Sequence, residues 1–287
     1  MKKGFKFGLL LFCFLCTGCF KKDNLEDISI YATAYPIEYI INELYSEHAT
    51  IKSIYPNGTS VDTYEPTEKQ LKDYSSSNMF IFNGKSKEQD YLLKMFQDNK
   101  DLMIIDATQS IEAEYNHYEL WMDPSNFLMM ASNIKTGLLA YISNHYLKNE
   151  IEEKYNKLKI KVSNLDASLK LMSTNSTYNT LLVDNDALLF LEKYGFRVIS
   201  IANRENLTAK LKNEIYSLIE NKKLNYIYTL DEEHLSDLVL EFQVNTDIET
   251  IELHKLDNLS DKEHSNGEDY ITLLTENIDL LKKEAYR

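Results

Sequence analysis

Residues 149–172 read NEIEEKYNKLKIKVSNLDASLKLM, and this stretch decides the fold. Its apolar side chains recur at alternating steps of four and three residues, which places them along one face of a helix. That face consists of Ile151, Tyr155, Leu158, Val162, Leu165, Leu169 and Met172. At 1.5 Å per residue the helix is about 35 Å long, enough to run the full height of a small domain. Because strands and helices alternate on both sides of it, we predict that it joins two lobes; an ordinary helix packed inside one domain is the alternative.

The linking helix is expected to begin near Glu150. Asn149 lies where an N-cap would, and Glu152 follows three residues later, as in a capping box. Acidic side chains in the first turn and lysines after it match the helix dipole. This start predicts an N-terminal lobe over residues 20–148, a linking helix over 149–173 and a C-terminal lobe over 174–287.

Residues 1–19 have the pattern of a bacterial lipoprotein signal peptide. Three lysines precede an apolar run over residues 7–15 that is too short for a conventional spanning helix. The run ends in Leu15-Cys16-Thr17-Gly18-Cys19, which resembles a lipobox with Cys16 in the place usually held by leucine. We therefore expect a lipid on Cys19 that anchors the chain outside the cytoplasm. Plain secretion with a chance cysteine is the alternative.

The composition predicts globular lobes without disulfides. All three cysteines lie in the N-terminal segment, so only Cys19 remains after processing, and the core must hold the fold. The chain is 44% apolar and contains 20 tyrosines and 12 phenylalanines, which is ample for such cores. Its net charge of −14 repels nucleic acid and anionic lipid, so a nucleic-acid partner is not expected and the lipid on Cys19 provides the membrane contact.

Short apolar strands alternate with amphipathic helices on each side of the linking helix. Strands are predicted over 28–32, 51–55, 79–82 and 102–105 before it, and over 180–183, 197–201, 226–230 and 250–253 after it. Helices are predicted over 36–45, from Pro66, over 88–96 and from Ser125, then over 186–194, 209–220, 233–242 and 270–284. The order predicts an α/β fold of two Rossmann-like lobes with mostly parallel sheets. Ligands of such sheets bind beyond the carboxyl ends of the strands, here in a cleft between the lobes.

Several blocks in a fixed order resemble the solute-binding lipoproteins of zinc and manganese ABC transporters, the cluster A-I family. The blocks are PNG at 56–58, VDTYEPT at 61–67, MFIFNG at 79–84, ELWMDP at 119–124, VDNDA at 183–187 and DYITLL at 269–274. Together they cover nearly all of the chain that follows the signal peptide. The resemblance implies a rigid helix between two lobes, a metal site in the cleft and delivery of the metal to a membrane permease.

The resemblance also implies metal-ligand positions, and here the chain departs from the family. The family's three histidines fall on Asp62, Glu119 and Asn185, and its acidic fourth ligand falls on Leu230. Asp257 lies close to the family's late acidic position. The candidate metal ligands are therefore Asp62, Glu119, Asn185 and Asp257, and none of them is an imidazole.

This change of ligand type predicts a different cation. Imidazole nitrogen suits zinc, whereas carboxylate and carbonyl oxygens suit manganese or another hard cation. Zinc-like high affinity is therefore not expected. A neighbouring side chain has to replace the ligand missing at Leu230, and the open candidates are His117, Asp184, Asp186 and Asp231. The remaining histidines have no paired ligand spacing and are expected to be solvated or locally hydrogen-bonded.

Two functions are compatible with these features. The leading one is a lipid-anchored, extracytoplasmic solute-binding protein that captures a divalent cation and passes it to an ABC transporter permease. The alternative is a lipoprotein of the same fold that has lost metal binding and serves as an adhesin-like surface interaction module. An enzyme is not expected, because the sequence has no Gly-rich phosphate loop, no cysteine nucleophile after processing and no Gly-x-Ser-x-Gly motif.

Overall fold

A computed structural model describes residues 28–59, 61, 63–112, 119–202 and 207–287. The predicted signal peptide with Cys19, and the candidate residues Asp62 and His117, lie outside this part of the chain. Two four-stranded parallel sheets lie on either side of a long helix. Within the described residues, no helix has both the length and the apolar character needed to cross a membrane.

The N-terminal lobe contains the first sheet, in which every strand pair is parallel. Its strands are β1 (Ile28–Ala32), β2 (Ala49–Ser53), β3 (Met79–Phe82) and β4 (Met103–Asp106), in the order β2-β1-β3-β4. Its helices are α1 (Tyr35–Tyr45), α2 (Glu68–Ser75), α3 (Gln89–Asp98) and α4 (Pro124–Tyr141), and a 3-10 turn over Leu120–Met122 precedes α4. The linking helix α5 (His145–Thr174) follows.

The C-terminal lobe repeats this strand order. Its strands are β5 (Thr180–Val183), β6 (Arg197–Ser200), β7 (Tyr226–Thr229) and β8 (Glu249–Glu252), in the order β6-β5-β7-β8. Its helices are α6 (Ala209–Glu220), α7 (Asp237–Asn245), α8 (Asp261–Asn266) and α9 (Tyr270–Ala285), and a 3-10 helix spans Asp186–Tyr194. The chain therefore changes direction between β1 and β3 in one lobe and between β5 and β7 in the other. Ligand crevices of parallel sheets open at such points.

The two lobes share one hydrophobic core around α5, and each has a second core on the opposite face of its sheet. Strand β3 shows how the sequence builds this arrangement. Met79 and Ile81 belong to the shared core, whereas Phe80 and Phe82 belong to the outer core of the N-terminal lobe. Because successive side chains of a strand point to opposite faces, an unbroken apolar run serves both cores.

The apolar face predicted for the linking helix is confirmed, but the predicted start of the helix is wrong. The helix begins at His145, five residues before Glu150, and Asn149 lies inside it. The N-cap is Asn144, whose side chain accepts hydrogen bonds from the backbone N–H groups of Tyr146 and Leu147. Leu147 is buried and extends the apolar face by one turn. The helix begins at the earlier of the two asparagines because no residue between them breaks the helix.

Smaller corrections also have local causes. Helix α2 is capped by Thr67 in a capping box with Gln70, so Pro66 precedes the cap instead of opening the helix. The helix predicted from residue 233 begins at Asp237, where Ser236 is the N-cap. The segment over Asp186–Tyr194 is a 3-10 helix, β2 lies two residues earlier than expected, and α8 was not predicted.

The Asn-Gly ending of β3 has a steric reason. The backbone N–H of Gly84 donates to Asp106 Oδ1 at 3.0 Å. A Cβ atom at Gly84 would lie 2.2 Å from the carboxylate of Asp106, so any other side chain would displace this carboxylate. The glycine thus lets two neighbouring strand ends approach each other closely.

Trp121, which is fully buried, joins the lobes through two hydrogen bonds. Its indole N–H donates to the carbonyl of Lys255 at 3.0 Å, and its own carbonyl accepts from the hydroxyl of Tyr270 at 2.7 Å. The ring of Tyr270 stacks on Phe127 with centroids 3.8 Å apart. The 3-10 turn that contains Trp121 therefore has a fixed position against the C-terminal lobe.

Residues 255–259, which we call the cross-lobe segment, extend this contact. The backbone N–H of Tyr35 donates to the carbonyl of Asp257, and that of Gly58 donates to the carbonyl of Leu259, both at 2.9 Å. The side-chain amide of Asn258 donates to the carbonyl of Pro56 at 2.8 Å. The segment that follows β8 is thus bonded to loops of the N-terminal lobe.

Tyr270→Phe tests the contact between the lobes. The substitution removes the donor to the Trp121 carbonyl, and an unsatisfied buried acceptor costs ~1–3 kcal/mol. We expect the free energy of unfolding, measured by chemical denaturation, to fall by about 1–2 kcal/mol. Tyr286→Phe, on a ring that is 47% exposed, is the matched control and should change it by less than about 0.5 kcal/mol. Equal effects of the two substitutions would contradict the assignment.

Glu88→Gln tests how the ionisation of a buried carboxyl affects stability; Glu88 is 1% exposed. Burial raises the pKa of Glu88, and the hydrogen bond from the Tyr55 hydroxyl opposes this shift only in part. A carboxyl whose pKa is higher in the folded than in the unfolded chain favours folding at low pH. This stabilisation is complete below the pKa in the unfolded chain, ~4, and is lost as the pH rises through the pKa in the folded chain.

Since glutamine does not titrate, Glu88→Gln should be more stable than the parent chain at pH 8, and the difference should shrink toward pH 4. Chemical denaturation at several pH values measures this difference in the free energy of unfolding. Glu153→Gln, on the exposed side of α5, is the control. A difference that grows toward low pH would contradict the prediction.

Candidate metal site in the interlobe cleft

A cleft with a volume of about 870 Å³ lies where the two lobes meet. The C-terminal lobe contributes residues that follow its strands: Asn185 after β5, Leu230 after β7 and the segment from Leu253 after β8. The N-terminal lobe contributes Glu119 and the loop residues Gly58 and Thr59. The cleft thus lies beyond the carboxyl ends of the strands, as the repeated strand order predicts.

Three of the four candidate ligands line this one cleft. They are Glu119, Asn185 and Asp257, and the leucine at the fourth family position, Leu230, lies among them. The structure brings them together from positions as far apart as 119 and 257 in the chain. The fourth candidate, Asp62, lies outside the described residues, so its place relative to the cleft stays a prediction.

A lysine pairs with both acidic candidates. Lys255 Nζ is 3.6 Å from Glu119 Oε1 and also 3.6 Å from Asp257 Oδ2. The side chains of Glu119 and Asp257 are only 6% and 15% exposed. The distances exceed those of a charge-assisted hydrogen bond, about 2.7–2.9 Å, so the contact is an ion pair of one ammonium with two carboxylates.

Asn185 has a structural role in addition to its place in the cleft. It is the N-cap of the 3-10 helix over Asp186–Tyr194, and its Oδ1 accepts from the backbone N–H of Ala187 at 2.8 Å. An amide oxygen has two lone pairs, so one acceptor position remains after this bond. The cap fixes the side chain, because the backbone of the helix start determines where Oδ1 lies.

The acidic neighbours differ in what they offer to the cleft. Asp231 lines it, but its carboxylate already accepts from two backbone N–H groups and pairs with His234. Asp184 is not among the cleft residues; burial raises its pKa to about 6, with a smaller opposing effect from a hydrogen bond with Thr229. Asp186 accepts from the hydroxyl of Ser200 at 2.5 Å and is also absent from the lining. Of these three candidates, only Asp231 reaches the cleft.

Leu230 forms an apolar part of the cleft wall. It is 6% exposed and belongs to the core that the two lobes share. A leucine here offers no ligand atom to the cleft. The family position that carries an acid is therefore part of the hydrophobic core in this chain.

The cleft is strongly electronegative. The described lining contains eight carboxylates: Glu119, Asp231, Glu233, Glu252, Asp257, Glu263, Glu268 and Glu276. Within the same described lining, Lys255 is the only lysine or arginine. A concave surface of one charge sign raises the local concentration of counter-ions, so this cleft attracts cations.

His254, the histidine in the described lining of the cleft, makes local contacts. His254 lines the cleft, but its Nδ1 accepts from the backbone N–H of Leu256 and its Nε2 lies 3.1 Å from a carboxylate oxygen of Glu263. These contacts assign the proton of the neutral ring to Nε2. His254 is therefore engaged on both nitrogens, as expected for a locally hydrogen-bonded histidine.

A second group with metal-ligand chemistry lies far from the cleft. Glu47, His48 and Glu150 are the only His, Cys and acidic side chains of the described chain whose ligand atoms form a trio within 4.8 Å. Lys154 lies 2.7 Å from Glu150 and 3.3 Å from Glu47, and His48 lies 3.2 Å from Glu150. Ordinary ion pairs between α5 and the end of α1 account for this group.

Lys255 is the cleft residue that sequence reasoning missed. The sequence contained one local signal: Lys255 and Asp257 are only two residues apart in the segment that follows β8. The approach of Lys255 to Glu119 had no local signal. It depends on the contact of Trp121 with the cross-lobe segment.

Comparison with known proteins places the chain among metal-uptake components. Residues 30–284 match the family described as zinc-uptake complex component A, periplasmic. The zinc-binding lipoprotein AdcA of Streptococcus pneumoniae is 21% identical over 299 aligned positions, which cover 95% of this chain and 58% of AdcA. The chain thus spans little more than half the length of that relative. The iron-binding protein YfeA of Yersinia pestis is 24% identical over 220 positions, covering 70% of this chain and 68% of YfeA.

A solved structure confirms the fold. The metal-dependent lipoprotein YcdH from Bacillus subtilis superposes with a TM-score of 0.76 at 17% identity. The match covers 91% of this chain and 100% of that chain. The predicted two-lobe α/β architecture with a linking helix is therefore confirmed.

Asn185→Ala tests the cap that positions this side chain in the cleft. Loss of an asparagine N-cap costs ~0.5–2 kcal/mol, so we expect the free energy of unfolding to fall by about 1 kcal/mol. Asn185→Asp is the matched control, because its carboxylate accepts the same hydrogen bond from Ala187 and should keep most of the stability. Chemical denaturation measures both variants. A loss as large for aspartate as for alanine would show that the cap is not the source of the effect.

Proposed function

The chain belongs to the family of zinc-uptake complex component A, and on that premise we propose that it is the extracytoplasmic solute-binding protein of a metal-ion ABC transporter. In this role it captures a divalent cation in the interlobe cleft and delivers it to a permease. The observation that carries the proposal is the meeting of Glu119, Asn185 and Asp257 in one electronegative cleft. Two of these side chains are carboxylates with little exposure to water.

The donor atoms of the cleft favour a hard cation. Glu119 and Asp257 offer carboxylate oxygens and Asn185 offers an amide oxygen, which are ligands of manganese, magnesium and calcium. His254 is engaged on both ring nitrogens and adds no imidazole ligand. We therefore propose manganese or another hard cation as the transported metal, with zinc bound less tightly than by an imidazole site.

Anchoring and delivery complete the proposal. Cys19 in its lipobox-like setting supports attachment to the outer face of the cell membrane through a lipid, and AdcA is by its name a lipoprotein. Attachment by a lipid leaves the negatively charged lobes in the aqueous phase next to a permease. The names of AdcA and YfeA specify zinc and iron, so a transition metal is within the range of this family.

The alternative function, a surface interaction module without metal binding, is not favoured by these comparisons. The matching family is a metal-uptake component, and the cleft residues that would hold a cation lie together instead of being dispersed. The family is one of transport proteins, so the expectation of a non-enzymatic role agrees with its description.

The proposal is tested by calorimetric titration. The purified chain is treated with a chelator and titrated with manganese chloride and then with zinc chloride. We expect one divalent cation to bind per chain. Glu119→Gln removes one carboxylate charge from the cleft and should weaken binding at least tenfold, which equals about 1.4 kcal/mol. Glu214→Gln is the matched control, because Glu214 pairs with Arg197 on the surface of the C-terminal lobe, outside the cleft lining.

The proposal is supported if the parent chain binds either metal, Glu119→Gln weakens that binding, and Glu214→Gln leaves the affinity within about twofold. If neither manganese nor zinc binds measurably to the parent chain, the proposed function is wrong. Binding that the two variants weaken equally would place the metal outside this cleft and would also overturn the assignment.

A further inference from the structure

Lys255 is placed in the cleft by its backbone as well as by its charge. Its carbonyl accepts from the indole N–H of Trp121, and the carbonyl of Asp257 accepts from the backbone N–H of Tyr35. Leu256 between them has a φ of +62°, in the left-handed region that costs a residue with a Cβ atom on the order of 1 kcal/mol or more. The side chain of Leu256 is fully buried and holds this turn in place. The stem of Lys255 thus starts from a rigid, strained point of the cross-lobe segment.

The ammonium contacts both carboxylates that a shared metal ion would coordinate. Lys255 Nζ lies 3.6 Å from a carboxylate oxygen of Glu119 and 3.6 Å from one of Asp257, and the lysine side chain is 22% exposed. A cation that both carboxylates coordinate needs their oxygens about 2.0–2.6 Å away, and therefore lies between them. A metal ion bound to these two oxygens and an ammonium that contacts them repel each other, because both are positively charged.

We propose that Lys255 is a tethered cation that competes with the transported metal for Glu119 and Asp257, and that it sets the affinity of the cleft. This inference rests on the proposed function. When no metal is bound, the single positive charge of the ammonium reduces the repulsion between two carboxylates at low exposure to water. A divalent cation has to displace it, and the displaced ammonium remains in a cleft that holds other carboxylates, such as Glu252 and Glu276.

Competition of this kind has two consequences for transport. The cleft binds metal more weakly than its carboxylates alone would allow, since each binding event breaks two ion pairs. It also favours release, because the tethered ammonium is available at high local concentration to replace a departing cation. Monovalent cations are disfavoured, as they bring no more charge than the lysine that they would replace.

Lys255→Met tests the inference, because methionine keeps an unbranched side chain and removes the charge. We expect calorimetric titration with manganese chloride to show at least tenfold tighter binding to Lys255→Met than to the parent chain. Lys255→Arg retains the positive charge and should bind within about threefold of the parent. Lys212→Met removes one lysine charge outside the cleft lining, where Lys212 pairs with Glu241, and should leave the affinity within about twofold. Circular dichroism melting of each variant confirms that it is folded.

The outcomes separate this inference from the proposed function. If the parent chain binds manganese and Lys255→Met binds it no more tightly, the inference is wrong and the proposed function stands. If Lys255→Arg tightens binding as much as Lys255→Met, the charge of residue 255 is not the cause, and the inference is again wrong. Binding by Lys255→Met alone supports the competition and overturns metal capture by the native chain. If neither chain binds manganese or zinc, both conclusions are overturned.

Discussion

The hydrogen bonds of Trp121 are the constraint on which the rest of the structure depends. Its indole N–H reaches the carbonyl of Lys255, and its carbonyl receives the hydroxyl of Tyr270, so a residue of the N-terminal lobe is bonded to two separate segments of the other lobe. Glu119 lies only two residues before Trp121, and Asp257 two residues after Lys255. The same contact that joins the lobes therefore sets the distance between the two carboxylates.

The repeated strand order explains why a cleft exists at this contact. The strand orders are β2-β1-β3-β4 and β6-β5-β7-β8. In each sheet the first strand in the chain has its successors on its two opposite sides, so the loops that follow the two central strands diverge. Loops after β5, β7 and β8 open toward the loop after β2 and the segment before α4. Because α5 and the shared core hold the lobes against each other, these loops form one concave surface.

The described lining of this cleft combines many carboxylates with one lysine. Carboxylates at low exposure attract a cation, and Leu230 contributes an apolar part to the wall of the same cleft. Lys255 pairs with the same carboxylates when no cation is present, so one positive charge offsets part of the two negative charges at this point. Buried ions are costly unless they are paired, and the lysine provides the pairing within the chain itself.

The sequence by itself determined the parts of this protein that depend on neighbouring residues. Periods of two and of 3.6 residues are local properties, so β3, α1, α6, α9 and the apolar face of α5 could be predicted with nearly correct bounds. Boundaries failed where two capping residues competed, as Asn144 and Asn149 did, because both have the right side chain and only the continuation of the helix decides between them. The order of short blocks identified the family, and this placed Glu119, Asn185 and Asp257 on the list of candidate ligands.

Only the tertiary structure decided which of the acids meet. Asp184 and Asp186 are as close to Asn185 in the sequence as any ligand could be, yet the twist and pairing of the strands place them away from the cleft lining. Lys255 meets Glu119 across 136 residues of chain, through a contact that requires both lobes and the core between them to be formed. Local patterns carry no information about such a distance. The contact of one ammonium with both carboxylates is for this reason a property of the fold and not of any stretch of the sequence.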